Sequence, residues 1–338
     1  MKNKLRLFEM FAGFGGASFS LKKLRKQFEC VGYSEVDKTA IKVFENNHKG
    51  VKNYGNCKEI IPEELPDFDL LTGGFPCQPF SVNTNKNARG ENHKDFDLFE
   101  SIIKIVSVKK PTYILLENVK GILGDQSKSV YNKIIRNLTE LFYDVRVFVA
   151  NSREYGIPQN RERVFFICKL GRWNEFFKFP DKEYLKLNIK DILEYTSERR
   201  EPQIKNYKLS KKSNINKFGN ISRFEAIIKS PVDKKNSNVA FEILDAPSNV
   251  VSRQSDRIYN TNYAPCLTAT GKDYLFWINR EVIVLTPKEC FRLMGFLNDE
   301  IKFPKDINEV QKHKLAGNGW DINLVSKIFK EMFMEAKR

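Results

Sequence analysis

Between residues 5 and 170, short apolar runs alternate with longer amphipathic stretches, and this alternation constrains the fold more than any other feature of the chain. The strand-length runs are Leu5–Phe8, Cys30–Ser34, Phe68–Thr72, Tyr113–Glu117, Val145–Ala150 and Val164–Cys168. Segments of helical length fall between them, at 16–27, 37–47, 97–108 and 128–141. Strands that alternate with helices predict a doubly wound α/β sheet. Such sheets bind ligands at the carboxyl ends of their strands. Glycines follow the first run, Glu35 the second and Cys77 the third, and Glu117 ends the next.

The 338 residues suffice for one large domain or two modest ones, and a hydrophobic content of 41% supplies a substantial core. Lys and Arg number 57 against 42 Asp and Glu, a formal net charge of +15. That balance favours a polyanionic partner, foremost nucleic acid. The six cysteines form no CxxC pair and only three histidines are present, so no metal site is expected. The N-terminus lacks the apolar core of a signal peptide, and no run reaches membrane-spanning length. A reduced, cytoplasmic protein is expected.

Beyond residue 171 the pattern weakens. From Arg199 to Lys235, eleven basic residues stand against Glu201, Glu225 and Asp233, a local net of +8. Phe218, Ile221, Phe224, Ile227 and Ile228 recur at helix-like spacing, so a small, irregular, basic domain is preferred to a disordered linker. Ordered structure is expected again at 284–296 and in a last helix over about 321–336.

Four motifs carry chemistry. In GGFPCQPFS (73–81), Cys77 sits between Pro76 and Pro79 after an apolar run, an aimed and rigid position suited to a nucleophile. In EMFAGFGG (9–16), three glycines permit a tight turn and close ligand approach, without GxGxxG or P-loop spacing. Glu35, about twenty residues on, suits ribose hydroxyls, so a nucleoside-bearing cofactor follows. ENV (117–119) sets a carboxylate at a strand end. In YGIPQNRERVFFIC (155–168), Gln159, Arg161 and Arg163 alternate and should share one face toward a cleft.

FAGFGG, GGFPCQPFS, ENV, QNRER, RIYNTNYAPCLTATG (257–271) and LAGNGWDIN (315–323) occur in one order. Together they resemble the DNA cytosine-5 methyltransferases of bacterial modification systems, over about 1–170 and 255–338. The resemblance implies a Rossmann-like catalytic domain over 1–171, a small, mostly β target-recognition domain over 172–255, and a return to the catalytic domain over 256–338. It implies S-adenosylmethionine as cofactor, held by Phe11, Gly13, Phe14, Gly15, Gly16, Glu35, Val36, Asn56, Cys57, Pro76, Leu98 and Asn318. Cys77 would be the nucleophile, with Glu117 on a flipped cytosine and Arg161 and Arg163 lining its pocket. Gln78, Ser81, Gln159 and Arg257 would face DNA, and the polar loop 82–96 would close over the base. Double-stranded DNA is the implied partner of a monomeric enzyme, with a cognate restriction endonuclease in the same system.

Three positions depart from the family pattern: Val36 stands where some members carry tryptophan, Asn56 where aspartate is frequent, and Gly319 where serine is usual. Three other readings compete. A tRNA methyltransferase would share the cysteine turn, but the long basic segment favours DNA. A catalytically silent DNA-binding regulator is opposed by intact Cys77, Glu117 and Arg163. A nicotinamide-dependent dehydrogenase lacks its GxGxxG.

Overall fold

The computed structural model of the chain describes residues 4–75, 96–194, 239–242, 257–270, 274–279, 281–297 and 301–334. The principal sheet contains β1 (Leu5–Met10), β2 (Phe28–Ser34), β3 (Leu70–Gly74), β4 (Tyr113–Val119), β5 (Tyr143–Asn151) and β6 (Glu162–Leu170), in the order β2-β1-β3-β4-β6-β5. The first four pair in parallel, whereas β6 runs antiparallel to both β4 and β5. Helices α1 (Gly16–Lys23), α2 (Lys38–Asn47), α3 (Phe96–Lys109) and α4 (Lys128–Glu140) connect the strands. Every run expected from sequence is present as a strand, each extended or shifted by a few residues.

The central strands β1, β3, β4 and β6 are buried on both faces, which is why they read as continuous apolar runs rather than alternating ones. Neighbouring residues point to opposite layers. Phe8, Leu71, Ile114 and Phe166 pack with Phe99, Ile102 and Ile105 of α3 and with Ile134 and Leu138 of α4. Leu7, Leu70, Leu115 and Phe165 pack with Leu21 of α1 and with Leu324, Ile328 and Phe329 of the C-terminal helix. That helix is the last of four that follow: α5 (Ile189–Ile192), α6 (Pro287–Arg292), α7 (Glu309–Asn318) and α8 (Ile322–Met334). The C-terminal helix therefore packs on the principal sheet.

A second, four-stranded sheet has the order β10-β9-β8-β7, from β7 (Val239–Glu242), β8 (Arg257–Tyr259), β9 (Leu275–Ile278) and β10 (Glu281–Val284). It takes strands from both sides of the boundary expected at 255. Residues just beyond the boundary expected at 171 pack on the principal sheet. Trp173, Phe177 and Phe179 pack against the principal sheet's Tyr113 and Phe148 face, with Phe148 and Phe179 stacked at 4.6 Å. Residues 195–238 and 243–256, the greater part of the expected recognition segment, lie outside the described residues.

Candidate active site

Two backbone devices shape the first strand end. Phe11 takes a left-handed φ of 51°, an uncommon conformation for a bulky residue and one that marks functional turns. Gly15 caps α1 at φ 90°, and a Cβ there would stand 2.4 Å from His48 Nε2. The orphan N–H groups of that helix are met from β1: Glu9 accepts from Ala17 N and Ser18 N at 3.1 Å each, and from the Ser18 hydroxyl. Burial pushes the Glu9 carboxyl up to about 7, against the pull of those hydrogen bonds.

Beside this turn opens a cavity of about 530 Å³, in the range of cofactor sites. Phe11, Gly13, Phe14, Glu35 and Val36 line it, as do Asn56, Cys57, Leu98 and Asn318. Glu117, Arg161 and Arg163 line the same cavity. Gly16 borders a smaller adjoining space, whereas Gly15 lines neither and serves as the helix cap.

Glu35 takes Val36 N and Asp37 N on Oε1, at 2.8 and 2.9 Å, and Gly13 N on Oε2 at 2.9 Å. Three of about four carboxylate lone-pair sites are thus occupied, and one remains for a hydroxyl of a bound ligand. Asn56 Oδ1 accepts from Lys58 N at 3.2 Å while its amide donates to Glu59, so its oxygen keeps one lone pair. Two such acceptors lining one cavity beside the glycine turn suit the hydroxyls and ring edge of a nucleoside. Val36 is 66% exposed at the rim, an apolar surface without a ring to stack.

The other end of the cavity is an ion pair. Arg163 Nε meets Glu117 Oε1 at 2.8 Å, with the two side chains 15% and 13% exposed. The antiparallel entry of β6 makes this contact: Val119 pairs with Arg163, so the start of β6 lies at the carboxyl edge of β4. Asn118 donates to Phe75 O at 3.3 Å and so ties β4 to the residue that precedes Pro76 and Cys77. A Cβ on Gly74 would stand 2.7 Å from Trp320 Nε1 and 3.3 Å from Glu117 Oε2, so only glycine fits this floor. Sequence reasoning missed both Asn118 and Trp320. Each sits inside a recognised motif, the one signal that pointed to them.

Of the three residues expected to share a face toward a cleft, Arg161 and Arg163 line the cavity, whereas Gln159 packs inside the protein. Gln159 is fully buried, donating to Leu293 O at 2.6 Å and accepting from Leu267 N at 3.0 Å. Its expected contact with DNA is corrected accordingly: both ends of its amide are committed inside the protein. Arg161, 3% exposed, holds backbone carbonyls, and Arg163 alone reaches Glu117. Arg257 opens β8, with its side chain outside the described residues. Pro76, Cys77, Gln78, Ser81 and the loop 82–95 also lie outside them.

Gly319 explains its own departure from the family pattern. A Cβ there would lie 2.0 Å from the Phe14 ring, which is itself 1% exposed against Phe291 and Phe296. The phenyl ring occupies the space a serine side chain would need.

The family profile for C-5 cytosine-specific DNA methylase matches residues 5–334. The type II methyltransferase M.HhaI of Haemophilus parahaemolyticus is 30% identical over 331 residues, covering 96% of this chain and 93% of that protein. M.NlaX of Neisseria lactamica is 29% identical over 328 residues, covering 97% and 96%. Among solved structures, the Dnmt2 methyltransferase of S. pombe shares the fold with a TM-score of 0.68 at 19% identity, covering 99% of this chain and 100% of that one. EhMeth of Entamoeba histolytica shares it at 0.69 and 16%, covering both chains fully. With the glycine turn, the Glu35 acceptor and the Glu117–Arg163 pair in one cavity, the chain belongs to the C-5 cytosine-specific DNA methylases, with S-adenosylmethionine as cofactor and DNA as substrate.

Proposed function

We propose that this enzyme methylates carbon 5 of a flipped-out cytosine within a specific double-stranded DNA sequence, through a covalent adduct on Cys77. One observation carries the reading: the Glu117–Arg163 ion pair shares a cavity with the nucleoside-sized glycine wall, at the strand edge from which the Cys77 turn departs.

Carbon 5 of cytosine is too weak a nucleophile to take a methyl group unaided. The Cys77 thiolate adds to carbon 6 and makes carbon 5 enamine-like. S-adenosylmethionine, bound against Gly13, Glu35, Asn56 and Asn318, supplies the methyl group. Glu117 engages ring nitrogen 3 and accepts from the exocyclic amine, and a proton shared with nitrogen 3 stabilises the activated ring. Arg163 orients that carboxyl through its 2.8 Å contact and balances negative charge as it develops. A base, which we assign to water, then takes the carbon 5 proton. The carbon–sulfur bond breaks and the ring double bond is restored. A cytosine inside a duplex cannot reach this cavity, so the base is extruded. Gln78, Ser81 and the loop 82–96 close over it, and the segment 172–255 reads the flanking sequence. The enzyme acts as a cytoplasmic monomer, as the modification half of a restriction–modification system.

A duplex carrying 5-fluorocytosine at the target tests the adduct, because fluorine cannot leave as the proton does. The wild type should form a covalent complex in the presence of the cofactor. Cys77→Ser should bind the duplex yet form neither adduct nor product. A serine variant with near wild-type turnover would falsify the assignment.

A further inference from the structure

A fully buried arginine needs a reason to be where it is. Arg161 is 3% exposed, and its guanidinium spends its donors on backbone rather than on an ion pair. Nη2 donates to Gly317 O at 3.2 Å and to Gly319 O at 2.7 Å. Nη1 donates to Leu267 O at 3.2 Å and contacts Cys266 Sγ at 3.6 Å. The two carbonyls on Nη2 flank Asn318, whose side chain lines the cofactor cavity. A planar fork with donors in fixed directions can fix the peptide units before and after Asn318 together, which a lysine cannot.

The same cluster reaches the base-binding end. Cys266 Sγ lies 3.7 Å from Arg163 Nη2, so the thiol stands between the two guanidinium groups. Arg163, in turn, holds Glu117. The charged neighbours of Arg161 are Arg163, which opposes its charge, and Cys266, Glu117 and Asp321, which favour it. The two arginines also pull the Cys266 thiol below its ordinary range, despite its burial. The backbone is packed as tightly as the side chains. A Cβ on Gly317 would stand 2.1 Å from Thr268 O, so segments 266–268 and 317–319 touch main chain to main chain around the guanidinium.

We infer that Arg161 is a positioning residue that presents Asn318 to the cofactor, by clamping the carbonyls on either side of it to the 266–268 segment. Arg161 itself does not touch the reacting atoms. This reassigns it from the base pocket, where its motif placed it, to the cofactor side. The inference rests on the reading of the cavity as the cofactor site.

The test is cofactor affinity without DNA, measured calorimetrically with S-adenosylhomocysteine. Arg161→Lys keeps the charge and loses the fork. Arg161→Met keeps the stem and buries no unpaired charge, so it provides a second route to a folded variant. Either should weaken S-adenosylhomocysteine binding by about tenfold or more, the scale of a misplaced contact. DNA binding should be retained. Methyl transfer should recover toward wild-type kcat at saturating S-adenosylmethionine, a rise in KM that a general loss of structure does not produce. Asn318→Ala should weaken binding comparably, and adding Arg161→Met to it should cost little more, because both act through one contact. Additive losses, unchanged affinity in a cooperatively folded variant, or failure of both variants to fold would each overturn the proposal. By contrast, wild-type affinity in Asn318→Ala would overturn the reading of the cavity itself.

Discussion

Phe14 and Gly319 form a matched pair whose logic is steric. The ring fills the volume above the Gly319 backbone, and its own surroundings allow no retreat: Phe291 and Phe296 meet it edge-on at 5.3 and 5.5 Å. Gly319→Ser should destabilise the protein by about 1–3 kcal/mol through overpacking. Phe14→Leu opens a cavity and is itself costly, yet the double variant should be more stable than the two single losses predict. Chemical denaturation of the four proteins gives the coupling directly. Strict additivity would show that the two side chains do not share this space. The glycine that departs from the family pattern is thus a consequence of a neighbour rather than a lesion in the site.

Where α1 meets α2, a histidine is buried as a neutral packing group. His48, 7% exposed, packs against the Phe19 and Phe44 rings at 4.8 and 4.7 Å, under the Gly15 cap. Its Nδ1 stands 3.2 Å from Lys22 Nζ and its Nε2 has no hydrogen-bond partner. Burial, then the Lys22 charge, lowers its pKa to about 3 from an ordinary 6.5. Between those values the unfolded chain holds a proton that the folded chain rejects. Stability is therefore full above about 6.5 and falls as pH drops toward 3. The slope from this one group reaches at most about 1.4 kcal/mol per pH unit. Glu9 acts oppositely: raised to about 7 from 4.5, it favours the folded state below 4.5 and loses that effect as pH rises through 7. Comparing wild type with His48→Gln isolates the histidine. The variant should show a shallower loss of stability from pH 6.5 to 4, by denaturant titration at each pH. Parallel curves would mean His48 titrates normally.

The proposed function divides the work of the whole molecule between the α/β body and a basic recognition segment, 172–255. Exchanging residues 172–255 with the corresponding segment of a related enzyme should move the methylated sequence with it, as read by bisulfite sequencing. A chimera that keeps the original site would place recognition elsewhere, with the 82–96 loop the next segment to exchange. Within the segment, lysines between 205 and 235 that touch phosphate should each lower the salt slope of binding by roughly one unit, without changing which sequence is preferred.

The strands were legible because a sheet covered on both faces demands unbroken apolar runs, and that demand is local. The glycine turn, Glu35 and Glu117 were legible for a related reason: each sits at a strand end, and chain order alone brings it to the edge where ligands bind. The direction of β6 was not legible, since nothing in VFFIC distinguishes a parallel strand from an antiparallel one, yet that direction sets Arg163 beside Glu117. Alternation in QNRER correctly grouped Gln159 and Arg161, but the side they share faces 264–267 and 317–319, about a hundred residues or more away in sequence. A period of two reports which residues point together, and it carries no information about what arrives to cover them. Cys266, Asn318 and Trp320 acquire their places only when the C-terminal segment folds back onto β4 and β6, because long-range packing, not local pattern, selects their partners.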